Sequence, residues 1–159
     1  MSRSTPRPVQ HPLPKNARFA IVASRFNGPI VDSLLTGCVR RLEALGVAPD
    51  RIETHRVPGA FELPLAAKVL ARTGRFSAVV CLGTVIRGDT PHFDFVAGEA
   101  ARGIQDVALS EMLPIIFGVL TTETEEQARQ RAGGQHGNTG ESAAEAAVEM
   151  AGLLAKVRG

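Results

Sequence analysis

The sequence predicts one α/β domain in which a four-stranded parallel sheet lies between two layers of helices. Short apolar runs that suit buried strands alternate with longer segments whose apolar residues recur at helical spacing. Polar or glycine-containing segments follow the apolar runs directly, as is typical where strands end at a ligand-binding edge. This alternation is characteristic of parallel sheets that helices cover on both faces.

The predicted elements follow one another regularly. Three strand predictions rest on short apolar runs at residues 19–23, 77–82 and 113–120, and residues 51–57 suit a further strand that ends before Pro58 and Gly59. Apolar residues at helical spacing predict helices at residues 30–45, 96–107 and 144–154, and two more helices are predicted at residues 63–72 and 125–132. Gly46 is a plausible end for the first helix, and Thr124 is a suitable cap for the fourth, whose first turn is acidic. A glycine-rich loop is predicted at residues 133–140.

A proline-rich segment precedes the first strand. Its prolines cannot donate backbone hydrogen bonds and disfavour both a helix and a central strand; they are Pro6, Pro8, Pro12 and Pro14. We therefore expect an extended, partly mobile arm at residues 1–17, followed by a single domain at residues 18–159.

Composition and charge argue against several classes of function. The formal net charge is only +2, and no dense basic stripe with interleaved aromatic residues suggests a nucleic-acid partner. No apolar run approaches the roughly 18 residues of a membrane span, and no apolar signal segment is visible, so we expect no membrane association and a cytoplasmic location. The four histidines lack the spacing of metal ligands, so no metal site is predicted. Cys38 and Cys81 lie in helical and strand patterns that favour reduced core residues.

The strongest candidate site is the segment GTVIRGDTPHFDFV at residues 83–96. It places Arg87, Asp89, Thr90 and His92 after a buried strand, at the edge where α/β proteins bind ligands. His92 is the preferred catalytic residue because imidazole readily gives and takes protons near neutral pH.

The first two strands end in weaker candidates. In the motif SRFN, Phe26 could stack on a planar ligand and Asn27 could form hydrogen bonds to it. In the motif VPGAFELP, small residues permit close approach to the backbone, and Glu62 lies near a helix start. Each has a structural alternative: Phe26 could be a core residue beside an ordinary turn, and Glu62 could complement the helix dipole.

Two further patterns leave alternatives open. Five residues separate Cys81 from Arg87, as in cysteine phosphatases, which need a thiolate beneath a loop of backbone N–H groups. The residues between them are too apolar to favour this alternative. The glycine-rich segment GGQHGNTG reads as a flexible connector, although Arg131 just before it could bind an anion.

Taken in order, the motifs resemble the 6,7-dimethyl-8-ribityllumazine synthase family. The matching segments cover the chain from Arg18 almost to its end; they are SRFN, PGAFELP, GTVIRGDTPHFDFV, PIIFGVLTTET, EEQARQRAGG and GNTGESAAEAAVEM. The resemblance implies a flavodoxin-like three-layer sandwich that assembles as pentamers, sometimes packed into a hollow icosahedral shell. It also implies a transferase of riboflavin biosynthesis that needs no cofactor or metal. The implied substrates are 5-amino-6-(D-ribitylamino)uracil and 3,4-dihydroxy-2-butanone 4-phosphate.

The resemblance also implies residue roles. His92 would transfer protons, Phe26 would stack on the pyrimidine, and residues 88–90 would hold the phosphate. Two residues, Phe117 and Arg131, would come from a neighbouring subunit, with Arg131 gripping the phosphate. The complete set of implied substrate-binding residues is Phe26, Asn27, Ala60, Phe61, Glu62, Val85, Ile86, Gly88, Asp89, Thr90, Phe117 and Arg131.

The chain departs from the family pattern in two places. Family members commonly carry lysines in the glycine-rich loop, where this chain has Gln135 and Thr139, so we expect weaker substrate binding. The prolines of the arm would hinder pairing with a neighbour's sheet, which favours a free pentamer over a shell. A flavin- or lumazine-binding shell protein without turnover remains the non-enzymatic alternative.

Overall fold

The computed structural model describes residues 6–159. Within them, four parallel strands form a sheet in the order β2-β1-β3-β4, with β1 Phe19–Ser24, β2 Ile52–Val57, β3 Ala78–Ile86 and β4 Ile115–Thr122. The α-helices of this part of the chain are α1 Gly28–Ala44, α2 Leu63–Arg72, α3 His92–Glu111, α4 Glu125–Gln130 and α5 Thr139–Arg158. Helices α1, α4 and α5 cover one face of the sheet, and α2 and α3 cover the other. The predicted fold class, including its flavodoxin-like sandwich, is confirmed.

The core consists of two apolar layers that share the sheet. Strand β1 is completely buried, with Phe19 and Ile21 facing α1 and α5 while Val22 faces α2 and α3. Burial of each such large side chain contributes about 1.5–3 kcal/mol. Cys38 and Cys81 are free thiols inside these two layers, which confirms their prediction as reduced core residues.

The strand register creates a step at the carboxyl edge of the sheet. The last pairing between β1 and β3 joins Ala23 to Leu82, whereas β3 and β4 remain paired as far as Ile86 and Thr122. The central strand β3 therefore projects beyond β1 and β2. Such a step leaves room for a ligand beside the exposed flank of the longer strand.

The third predicted strand was too short and the third predicted helix began too late. Strand β3 continues to Ile86 rather than ending at residue 82, because residues 83–86 pair with β4. Helix α3 begins at His92 rather than at residue 96. Hence part of the predicted loop at the candidate site is strand and part is helix.

The predicted loop at residues 133–140 contains a small hairpin. Helix α4 ends at Gln130, and β5 Ala132–Gly134 pairs antiparallel with β6 Gly137–Asn138. Helix α5 then begins at Thr139, earlier than predicted. Positive φ angles at Gly133 and Gly137, 103° and 80°, allow this tight reversal.

The described part of the arm lies against helix α5. Residues 6–14 have no regular secondary structure, which agrees with the predicted extended conformation; residues 1–5 of that prediction lie outside the described chain. The Val9 N–H donates to Glu149 at 3.1 Å. A Cβ at Gly152 would lie 2.5 Å from the His11 Cβ, so the glycine makes room for the arm. Among residues 6–159, no helix has the length and apolar character required to span a membrane.

Candidate active site

A cavity of about 550 Å³ occupies the step at the carboxyl edge of the sheet. Four segments form its wall: the β1–α1 turn, the turn before α2, the end of β3, and the loop that leads into α3. The structure brings together ten of the predicted site residues around it, namely Phe26, Asn27, Ala60, Phe61, Glu62, Val85, Ile86, Gly88, Thr90 and His92. Residues from distant parts of the sequence therefore share one cavity, as expected for parallel strands that end at a common edge.

The β1–α1 turn presents Phe26 to the cavity. Asn27 adopts a left-handed conformation with φ of 56°, and its carbonyl accepts hydrogen bonds from the first turn of α1. Its side-chain Nδ2 donates to the Thr84 carbonyl at 3.2 Å, which attaches the turn to β3. Phe26 is 70% exposed, so the alternative that it is a core residue is wrong. An exposed aromatic ring on an anchored turn is suited to stacking on a planar ligand.

The turn before α2 places a carboxylate beside that ring. Glu62 Oε2 accepts a hydrogen bond from the Gly59 N–H at 3.0 Å, so this oxygen stabilises the turn. A Cβ at Gly59 would lie 3.1 Å from the Phe26 ring, so a side chain there would displace the ring. The second oxygen of Glu62 takes no part in this hydrogen bond, and Glu62 lines the cavity.

His92 is the first residue of α3, and it lines the part of the cavity wall that this helix forms. Its backbone N–H donates to Thr90 Oγ1 at 3.4 Å, which ties the loop to the helix start. The neighbouring apolar residues Phe93, Phe95 and Val96 also line the cavity, although the sequence predicted no site role for them. Their spacing over the first turn of α3 was a usable signal, but the predicted helix began only at residue 96, which left Phe93 and Phe95 in the loop.

Arg87 follows β3 but does not line the cavity. Its guanidinium donates to Glu123 at 2.8 Å and to Asp94 at 3.2 Å, and it lies 4.3 Å from the centroid of the Phe93 ring. The hydrogen bond to Asp94 raises the pKa of Arg87 above its ordinary value. This cation therefore carries two carboxylate partners at the rim of the site.

Comparison with known sequences decides the family. The sequence model described as 6,7-dimethyl-8-ribityllumazine synthase matches residues 16–155. The 6,7-dimethyl-8-ribityllumazine synthase of Yersinia pestis (strain Pestoides F) is 52% identical over 145 residues, which cover 91% of this chain and 93% of that protein. The enzyme of the same name from Yersinia pseudotuberculosis serotype O:1b (strain IP 31758) has the same identity and coverage. The chain belongs to the 6,7-dimethyl-8-ribityllumazine synthase family.

Three residues that the resemblance to lumazine synthases implied do not line the cavity of this chain: Asp89, Phe117 and Arg131. Phe117 lies within β4, opposite Cys81 in the register, and is 43% exposed. Arg131 follows α4, and its Nη1 donates to the Gln127 carbonyl at 2.9 Å. A lumazine synthase site that uses Phe117 and Arg131 therefore requires them from another copy of the chain.

The end of β3 also carries a buried hydroxyl without a partner. Thr84 is 3% exposed and lines the cavity, yet its Oγ1 has no hydrogen-bond partner among residues 6–159. A buried polar group without a partner costs about 1–3 kcal/mol.

The cysteine-phosphatase alternative is wrong. Cys81 lies in the middle of β3, fully buried, and the residues between it and Arg87 form extended strand rather than a loop around an anion. Burial raises the pKa of the Cys81 thiol to about 12, which disfavours the thiolate that such chemistry needs. Within residues 6–159, no group of three or more histidine, cysteine or acidic side chains is arranged to hold a metal ion.

Proposed function

We propose that this chain condenses 5-amino-6-(D-ribitylamino)uracil with 3,4-dihydroxy-2-butanone 4-phosphate to form 6,7-dimethyl-8-ribityllumazine in riboflavin biosynthesis. The observation that carries the proposal is the cavity at the sheet step, which brings the exposed Phe26 ring and His92 together in a member of this enzyme family. Its volume of about 550 Å³ lies within the range of about 300–1,000 Å³ that is common for small-molecule sites.

The uracil would bind on the side formed by β1 and the turn before α2. Phe26 would stack on the uracil ring, and Val85 and Ile86 would form an apolar wall of the slot that holds this ring. Asn27 and Glu62 each use one side-chain atom to hold the protein together, which leaves a second polar atom for the ring or the ribityl chain. Ala60 and Phe61 would complete this wall.

The phosphate would bind at the loop between β3 and α3. Backbone N–H groups at Gly88, Asp89 and Thr90 can donate to its oxygens, and the positive end of the α3 dipole favours an anion there. Arg131 of a neighbouring copy would add a charge-assisted hydrogen bond. Phe117 of the same neighbour would close the cavity over the heterocycle.

The reaction then requires mainly alignment and proton transfer. The ring amine adds to the ketone to form an imine with loss of water, the phosphate leaves, and a second amine closes the ring with loss of water. Holding two substrates in a reactive geometry can remove several kcal/mol of the barrier. His92 would move protons at the imine and leaving-group steps, a contribution of about 10²–10⁴-fold.

We further propose that the chain assembles as a homopentamer. Large apolar side chains are exposed on α2, α3 and β4, and such patches commonly mark interfaces between protein chains; they include Leu65, Val69, Phe95, Leu109, Met112 and Phe117. The prolines of the arm support a free pentamer rather than a shell, because they remove donors for strand pairing. Light scattering checks this state: a mass far above five chains would contradict it.

We also propose that the chain consists of an arm at residues 1–17 and a single catalytic domain at residues 18–159, and that it lies in the cytoplasm. The free thiols of Cys38 and Cys81 support a reducing compartment such as the cytoplasm.

A turnover assay with both substrates tests the proposed function. Product formation is followed by lumazine fluorescence, and free phosphate is measured in the same samples. We expect equal amounts of the two products from wild-type protein. Tight binding of lumazine without turnover would support the non-enzymatic alternative and contradict the proposal.

A further inference from the structure

Arg87 connects three segments at the rim of the cavity. Its backbone N–H donates to the Thr122 carbonyl at 2.9 Å, so it continues the β3–β4 ladder past the last paired residues. Its guanidinium binds Glu123, which follows β4, and Asp94, which lies in the first turn of α3. The same guanidinium covers the ring of Phe93. One side chain thus joins the ends of both strands to the start of the helix.

The residues between these attachment points are those of the proposed phosphate loop and His92. Residues 88–91 span from Arg87 to α3, and both ends of this span are held by the Arg87 side chain or backbone. His92 precedes Phe93 directly and lies in the same helical turn as Asp94. We propose that Arg87 is a positioning residue that fixes the loop at 88–91 and the His92 imidazole in their reactive places. This inference rests on the proposed function.

The energetics favour positioning over a role in overall stability. Asp94 and Glu123 are each 61% exposed, and Arg87 is 37% exposed. Exposed ion pairs contribute little to the free energy of unfolding. Displacing a catalytic group by about 1 Å, in contrast, can lower turnover by about 10²-fold. Loss of the Arg87 side chain should therefore affect catalysis much more than folding.

The chain contains a matched control for this chemistry. Arg75 donates to both carboxylate oxygens of Glu53 at 3.3 Å and lies 4.6 Å from the centroid of the Phe76 ring. This is the same combination of guanidinium, carboxylate and aromatic ring. It lies just before β3, at the amino end of the sheet, and none of its members lines the cavity.

Steady-state kinetics of Arg87→Ala, Arg87→Lys and Arg75→Ala test the proposal. For Arg87→Ala we expect kcat to fall by about tenfold or more and KM for the phosphate substrate to rise. KM for the uracil substrate should stay near that of wild type, because Phe26 and Asn27 lie on the other wall. Arg87→Lys should restore part of kcat by keeping the charge, and Arg75→Ala should match wild type.

If the loss of the Arg87 side chain destabilised the whole fold rather than the loop, the kinetic constants of Arg87→Ala would differ from those expected above. If Arg87→Ala has the kinetic constants of Arg75→Ala, the proposal is wrong. It is equally wrong if KM for both substrates rises together with a large fall in the unfolding midpoint. Should Arg87→Ala fail to fold, Asp94→Asn weakens the contact between Arg87 and α3 at nearly constant side-chain size. This variant must then raise KM for the phosphate substrate and leave KM for the uracil substrate near that of wild type.

Hydrogen exchange separates this proposal from the proposed function. Absence of turnover in wild-type protein would contradict the proposed function but would leave the exchange measurement informative. The amides of Arg87, His92 and Asp94, which donate hydrogen bonds at the two ends of the loop at residues 88–91, should exchange at least about tenfold faster in Arg87→Ala than in wild type, since local order is lost there. Unchanged exchange in this segment would contradict the positioning role whatever the activity.

Discussion

The two ends of the central sheet carry the same guanidinium–aromatic–carboxylate arrangement in different surroundings. At the amino end, Arg75 covers Phe76, which is buried. At the carboxyl end, Arg87 covers Phe93, which lines the cavity. The interaction itself is similar at both ends. Its role therefore depends on whether the residues next to it face the core or a ligand site.

Both ends hold buried polar groups without a hydrogen-bond partner among residues 6–159. At the amino end, the Arg18 carbonyl accepts from the Ser77 N–H at 2.8 Å, but the buried Arg18 Nε has no partner. At the carboxyl end, the hydroxyls of Ser24 and Thr84 have none. The difference between the ends is therefore not in polar pairing but in the exposed Phe26 ring, which lines the cavity at the carboxyl end.

The largest expected effect comes from His92→Ala at the carboxyl end. We expect kcat at saturating substrates to fall by about 10²–10⁴-fold, because the main proton-transfer group is lost. The unfolding midpoint should hardly change, since the side chain is exposed. His55→Ala is the matched control: His55 is exposed on β2 and pairs with Glu53. Near wild-type turnover in His92→Ala would show that His92 does not transfer the proton.

Arg131→Ala should have the next largest effect. We expect KM for the phosphate substrate to rise by roughly 10–100-fold, the usual loss for one charge-assisted hydrogen bond. Arg129→Ala serves as the control because Arg129 is an exposed cation in the same segment that already pairs with Glu125 at 2.6 Å. Equal KM values for the two variants would remove Arg131 from the phosphate site.

The smallest effect on turnover is expected from the cysteines, which lie between the two ends and act on stability instead. Burial raises the pKa of Cys38 and of Cys81 from the ordinary 9.0 to about 12. Above pH 9 the unfolded chain loses these thiol protons while the folded chain keeps them, so stability must fall as the pH rises toward 12. The slope is about 1.4 kcal/mol per pH unit for each cysteine.

Denaturant unfolding between pH 7 and pH 11 checks this prediction. The Cys81→Ala variant should be less stable at pH 7, because removal of the buried sulfur atom leaves a small cavity. Its free energy of unfolding should nevertheless fall less steeply with pH, because only Cys38 then contributes to the slope. Its turnover should remain close to that of wild type. A slope identical to that of wild-type protein would contradict the burial argument.

Much of the fold follows from local patterns in the sequence. Short apolar runs located three of the four strands of the main sheet, the segment before Pro58 and Gly59 located β2, and α2 was predicted with its bounds at Leu63 and Arg72. The end of β3 was missed because Thr84 and the following residues are strand only through pairing with β4. The hairpin β5–β6 was missed because glycine-rich segments give no apolar period.

The candidate site was less accessible to sequence reasoning. The resemblance placed Phe26 and His92 in one site, and the structure shows that both line one cavity. The anchoring of the turn by Asn27 to the Thr84 carbonyl depends on a contact between residues 57 positions apart, which no local pattern reveals. Phe117 and Arg131 do not line the cavity of this chain, and the proposal that they come from another copy rests on the resemblance rather than on a contact within one chain.

We propose that each active site joins His92 of one chain to Arg131 of a neighbouring chain. Co-expressing His92→Ala and Arg131→Ala chains as mixed oligomers tests it directly. If the site is shared between copies, about a quarter of the sites in an equal mixture regain both residues, and turnover at low phosphate-substrate concentration rises to about that fraction of wild type. Activity that stays at the level of the two separate variants would place both residues of a site in the same chain and contradict the account.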